Sequence, residues 1–195
     1  GDNFGDFDGD GVCDVNDVSP YGDVVLSFNN LTEGTADILY TSDVEIYGFQ
    51  LDINGIEITS VSGTFDLLSY NASNGMILGS SLSGFSLGSG SGSLVSVEFS
   101  PTIEGGEIFL SNIIVGGEGG TNIHVIASTS ELIPSCADND EDLFCNVFDT
   151  WPDCSDDGAI NPYDDCNVCN GGNNDKDCNG DCFGVAELDD CGVCS

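Results

Sequence analysis

Arginine is missing from the 195 residues, and Lys176 and His124 are the only side chains able to carry positive charge. Against 35 Asp and Glu this leaves a formal net charge of -34. Such a chain repels nucleic acid and anionic membranes, so no nucleic-acid partner is expected and metal cations are its natural counter-charge. No apolar run is long enough to span a membrane, and no stretch has the pattern of a signal peptide. Without arginine, cationic stabilisation of a phosphate or oxyanion has to come from elsewhere. The serines of LSGFSLGSGSGS form no nucleophile elbow, His124 stands alone on an expected strand, and no carboxylate pair is marked out for glycoside cleavage. An enzyme is therefore not expected. The chain begins at Gly1 rather than methionine, which points to a processed chain or a segment of something longer.

What the chain does have is aspartate at fixed spacing. In DFDGDGVCDVND, Asp6, Asp8, Asp10, Asp14 and Asp17 fall at positions 1, 3, 5, 9 and 12 of a calcium loop. Gly11 stands at the turn and Val12 where a backbone carbonyl would be the ligand. Two carboxylates about 4 Å apart repel by roughly 4 kcal/mol at an effective dielectric near 20, so five converging ones need a divalent cation. The spacing recurs in DNDEDLFCNVFD, with Asp138, Asp140, Asp142, Asn146 and Asp149 as side-chain ligands and Phe144 at the carbonyl position. Leu143 replaces the turn glycine there, and a cysteine follows the carbonyl position both times, Cys13 and Cys145. Two or more calcium ions are expected. These loops resemble thrombospondin type 3 repeats, which are calcium-filled, helix-poor and disulfide-tied.

Between the loops the texture changes. DVVLSF, TADILYT, EIYGFQLDI, IEITSVS, FDLLSY, MILGSSL, LVSVEFS, EIFLSNIIV and NIHVIAS are short β-rich runs punctuated by Gly, Asn and Ser. Their spacing predicts an all-β fold of about nine strands in two facing sheets, with no amphipathic helix. Period-two spacing makes Leu26, Phe28, Ile38, Tyr40, Phe49, Leu51, Ile53, Val95, Val97, Phe99, Ile108 and Leu110 the core. The run from Tyr40 to Ser111, with YGFQLDI, ITSVSG, NGMILGSSLSG, GSGSLVSVEF and IFLSNIIV, resembles the cohesin-like domains of secreted bacterial proteins. That resemblance implies a nine-stranded jelly-roll sandwich and, as an alternative function, recognition of a dockerin-like partner or a glycan. Asn30 and Asn71 open sequons for possible glycosylation.

Beyond Pro134 the cysteines crowd in. Ten cysteines in so acidic a chain point to an oxidising, extracellular setting. A zinc site at Cys166/Cys169 and Cys191/Cys194 is the rival, but Cys178 and Cys182 lie between and the total is even. One economical pairing joins neighbours: Cys136 with Cys145, Cys154 with Cys166, Cys169 with Cys178, Cys182 with Cys191, leaving Cys194 to meet Cys13 of another copy. Staples suit this segment, since Ile160, Tyr163, Val168, Phe183, Val185, Leu188 and Val193 are few to hold it. Asp153, Asp156, Asp157, Asn161, Asp164, Asp165, Asp175, Asp177, Asp181, Asp189 and Asp190 could furnish further metal sites, though without loop spacing. Trp151 beside Pro152 packs or stacks on a sugar. DDCNVCNGGN at Asp164 to Asn173 is echoed by DDCGVCS at Asp189 to Ser195, and a following Gly1-Asp2-Asn3 would complete the echo, as in a tandem array.

These features divide the chain into a calcium connector over 1–21, a cohesin-like sandwich over 22–133 and an irregular calcium-binding, disulfide-rich connector over 134–195. Together they predict a subunit of an extracellular, calcium-stabilised filament or stalk on a cell surface, assembled head to tail with copies of itself.

Overall fold

Each of the nine β-rich runs forms a strand. In the computed structural model they are β1 Asp23–Asn29, β2 Thr35–Ser42, β3 Gly48–Asn54, β4 Ile58–Ser62, β5 Leu67–Asn71, β6 Met76–Ser80, β7 Gly90–Phe99, β8 Gly106–Gly116 and β9 Asn122–Ala127. A short tenth, β10 Glu131–Ile133, pairs with β8. The structure describes residues 5–128, 130–156 and 161–195, so Gly1, Asp2, Asn3, Asp157 and Ile160 lie outside the described residues. Among those described there is no α-helix, only a single 3-10 turn at Glu118–Gly120, and none is long and apolar enough to cross a membrane. Two compact units result, Gly1–Ser135 and Cys136–Ser195.

In the first unit the strand order is β4-β7-β2-β1-β9-β8-β3-β6-β5. Strand β9 runs parallel to β1 over four pairs but meets β8 through only Val115↔Ile123 and Gly116↔Asn122. The sheet folds over at that short seam, and both halves turn their alternate apolar residues into one core. All twelve expected core residues lie there, eleven buried and Phe28 partly buried against them. Leu94 is buried although its neighbour Val95 is too. The register shift against Ile38/Leu39 makes Leu94 the extra residue of a bulge, which lets two consecutive side chains enter the core. One turn depends on its glycine. Gly75 has φ +71, and a Cβ there would stand 2.0 Å from the carbonyl oxygen of Ile53.

The second unit contains none of these strands and is held by disulfides. Cys136–Cys145 is bonded as the neighbour pairing expects. The rest of that pairing is corrected: Cys154 bonds Cys169, Cys166 bonds Cys182 and Cys178 bonds Cys194, while Cys13 and Cys191 are free and exposed. The reason is a repeated turn. Tyr163↔Cys169, Lys176↔Cys182 and Leu188↔Cys194 form equivalent single β-bridges. Inside each, Asp164, Asp177 and Asp189 donate a backbone N–H to Val168, Asp181 and Val193, at 3.1, 3.0 and 2.9 Å. Asn167, Gly180 and Gly192 supply the positive φ the turn needs. Each turn closes on itself, so the cysteine at its end reaches back to the preceding turn instead of its sequence neighbour.

Three aspartates expected as possible metal ligands accept hydrogen bonds within these turns. The Asp164 carboxylate accepts the N–H groups of Cys166, Val168 and Asn173, and Asp177 those of Asn179, Asp181 and Ala186. Asp189 accepts from Cys191 and Val193. These bonds, led by the one from Val168 and the one from Asp181, hold the Asp164 and Asp177 carboxyls below the usual range. A carboxyl depressed in the fold stabilises it fully above the unfolded value near 3.9 and loses that contribution as pH falls through the folded value. The amide resonances of Val168 and Asp181 should therefore shift below about pH 4, and Asp164→Asn and Asp177→Asn should each flatten the profile at its own turn.

Candidate metal centres

The two acidic loops are built on one backbone plan. In the first, Asp14 N–H donates to the Gly5 carbonyl at 2.8 Å; in the second, Asn146 N–H donates to Ala137 at 2.8 Å. Phe7 N–H donates to Asp14 Oδ1 and Asn139 N–H to Asn146 Oδ1, at 2.9 and 3.0 Å. Gly11 N–H reaches Asp6 Oδ2 and Leu143 N–H reaches Asp138 Oδ2, at 3.2 and 3.1 Å. Val12 and Phe144 donate to Asp10 and Asp142, and Ser19 and Trp151 to Asp17 and Asp149, at 2.7 to 2.9 Å. Five equivalent bonds give the two turns one hydrogen-bond plan. Asp14 and Asn146, expected as ligands, therefore spend one oxygen on the loop itself.

The remaining carboxylates converge. One oxygen from each of Asp6, Asp8 and Asp10 lies within 4.8 Å of the others, and the same holds for Asp138, Asp140 and Asp142. Asp17 Oδ2, Asp138 Oδ1, both Asp140 oxygens and Asp149 Oδ2 are buried and receive no hydrogen bond among the described residues. Buried acceptors without donors are costly, and a cation is the partner that satisfies several at once. Burial raises the carboxyls of Asp8 and Asp140, and the charges of neighbouring aspartates add to it. Around Asp8 those neighbours are Asp10, Asp17 and Asp43, and around Asp140 they are Asp142, Asp149 and Asp138. All-oxygen, multiply anionic donor sets fit a hard divalent cation of calcium type and suit a soft thiophilic metal poorly.

Two further aspartates near the loops lie outside the loop spacing. Asp43, just after β2, adds its charge to Asp8 and accepts Asp23 N–H. Asp156 brings an oxygen within 4.8 Å of Asp142 and Asp149, and its N–H donates to Asp142 Oδ2. No fixed spacing announces either, because turns outside the loops place both.

Leu143 sits at φ +77, where the first loop has Gly11 at φ +90, and its side chain is 75% exposed. The side chain buries little while the backbone is held in a left-handed conformation costing roughly 1–2 kcal/mol. Leu143→Gly is expected to tighten metal binding at the second loop about fivefold, near 1 kcal/mol, as calorimetric titration would read.

The other marked residues make contacts of their own. His124 Nδ1 lies 2.6 Å from Asp23 Oδ1, and Lys176 pairs with Asp165. The Asn30 amide donates to Asp37 at 2.7 Å, and Asn71 Oδ1 accepts from Ser73 Oγ at 2.6 Å; both asparagines are exposed.

No family model and no curated protein matches the chain. Solved structures similar to it are cohesins. The likeness is one of fold. A non-cellulosomal cohesin from the archaeon Archaeoglobus fulgidus is 19% identical, with 58% of this chain and 92% of that one covered and a TM-score of 0.45. The cohesin–dockerin complex Coh-OlpC-Doc435 from Clostridium thermocellum gives 12% identity over 60% and 95%, at TM-score 0.44. The cohesin module of a family 33 glycoside hydrolase from Clostridium perfringens gives 17% over 57% and 94%, at 0.42.

Proposed function

We propose that this chain is a structural subunit of an extracellular filament or stalk, stiffened by calcium and joined head to tail with copies of itself. The observation that carries this is the pair of acidic loops with matching hydrogen bonds, in which Asp17 Oδ2, Asp138 Oδ1, both Asp140 oxygens and Asp149 Oδ2 are buried without a donor among the described residues. Asp6, Asp8, Asp10 and Asp17 would hold one ion and Asp138, Asp140, Asp142 and Asp149 another, with the carbonyls of Val12 and Phe144 as further ligands. Bound calcium would supply the charge neutralisation that lets these side chains converge. Each loop then becomes a rigid turn, one beside the sandwich and one at the start of the cysteine ladder. Assembly finds support in the second unit's surface, where Phe148, Phe183, Val185 and Leu188 are more than 60% exposed. Electron microscopy and sedimentation of the purified protein in calcium should show elongated multimers that shorten after chelation. Monomers under both conditions would remove the proposal.

One observation favours a second reading, a recognition module. By register, Leu67, Leu78 and Ile114 share the outward face of the β5-β6-β3-β8 half with Phe109, and Ile114 is 53% exposed. Such a face could take a glycan or a dockerin-like module. Ile114→Asp should then abolish retention on an immobilised panel of those ligands without moving the melting temperature; no retention by the parent protein would end this reading.

A further inference from the structure

The disulfides of the second unit obey a direction. Cys154, Cys166 and Cys178 each bond forward, to a cysteine 15, 16 and 16 residues later that closes a turn of the ladder. Cys191 occupies the same place in the third turn as Cys166 in the first: Asp189 accepts its N–H at 2.9 Å as Asp164 accepts that of Cys166 at 2.8 Å. Its geometry is that of a forward-bonding cysteine, yet it is free and exposed. Cys13 is its complement. It corresponds to Cys145 through the five shared loop bonds, and Cys145 bonds backward, to Cys136 nine residues earlier. The residue matching Cys136 ahead of the first loop is Phe4, so Cys13 has no such partner there and is also free and exposed. One open cysteine thus needs a partner that follows, and the other a partner that precedes.

We infer that Cys191 of one copy and Cys13 of the next form a disulfide, the rung that continues the ladder across the junction. The inference rests on the head-to-tail reading above. Were Gly1 of one copy to follow Ser195 of another, the step from Cys191 to Cys13 would exceed the 16 of the last two rungs by one residue. The bond forms by exchange with a small disulfide oxidant such as glutathione disulfide. The Cys191 sulfur displaces one thiol of the oxidant, and the Cys13 sulfur of the second copy displaces the other. Two protons leave the cysteines, and their two electrons reduce the oxidant.

The test uses the full chain with its four disulfides intact, in calcium and a glutathione redox buffer. The parent should form a reducible series of multimers on non-reducing gels. C13S and C191S should each stay monomeric alone, and an equimolar mixture should give a dimer and nothing larger, since each supplies one half of a single rung. Peptide mapping of isotopically mixed protein should find Cys13 joined to Cys191 between chains. A Cys13–Cys191 bond within one chain, symmetric Cys13–Cys13 or Cys191–Cys191 dimers, or both thiols still open to alkylation would overturn it. Sedimentation of the C13S/C191S double variant separates this from the assembly itself. Calcium-dependent multimers of that variant, with no cross-link in the parent, would sink the rung and leave the assembly reading standing; absence of both would sink both.

Discussion

Chelating calcium from the purified protein is expected to lower the melting temperature of the second unit by about 6 °C or more. Extracellular calcium modules bind at about 10⁻⁴ to 10⁻³ M, so about 10 mM ion stabilises one site by roughly 1.5–3 kcal/mol. In a unit of this size each kcal/mol moves the midpoint by about 4–8 °C. The effect should be large here because Asp138 Oδ1, both Asp140 oxygens and Asp149 Oδ2 are buried without a hydrogen bond among the described residues, and few apolar side chains are buried around them. Trp151 is the chain's only tryptophan, and its backbone N–H donates to Asp149, so its fluorescence reports from beside this loop. Neutralising one ligand should reverse the sign. Asp140→Asn removes the carboxylate that burial and three neighbouring charges disfavour, so the metal-free protein should gain stability while the response to calcium shrinks. A calcium-independent melting curve for the parent, followed by tryptophan, would remove the metal from the account.

Leu51→Ala should cost the first unit about 2–5 kcal/mol. Leu51 is fully buried at the centre of β3, and truncation leaves a cavity that the paired strands β6 and β8 cannot close without breaking their register. Far-ultraviolet circular dichroism, dominated by the strands, should show the loss. Tryptophan fluorescence should not, because Trp151 lies in the other compact unit. Coincident shifts in both signals would mean that the two units unfold as one.

The sandwich was largely legible because period-two burial is a local property. A side chain two residues along a strand returns to the same face, so Leu26, Ile38, Leu51 and Val97 announce a core before any partner strand is known. What escaped was non-local: Leu94 enters the core only because a bulge forms against β2, and β10 is too short to carry a period. The convergence of carboxylates in the acidic loops was legible for a similar reason, since Asp6, Asp8 and Asp10, like Asp138, Asp140 and Asp142, lie within five residues of one another.

Spacing by itself therefore determined the strands, their buried faces and the two candidate metal turns, each being a matter of residues close together along the chain. The tertiary structure alone decided which cysteines meet, that Asp156 comes beside Asp142 and Asp149, and that Asp164 and Asp177 accept the backbone N–H groups of their own turns. Those outcomes depend on how separate turns stack, and a disulfide or a carboxylate cluster responds to distance in space, which sequence separation does not encode.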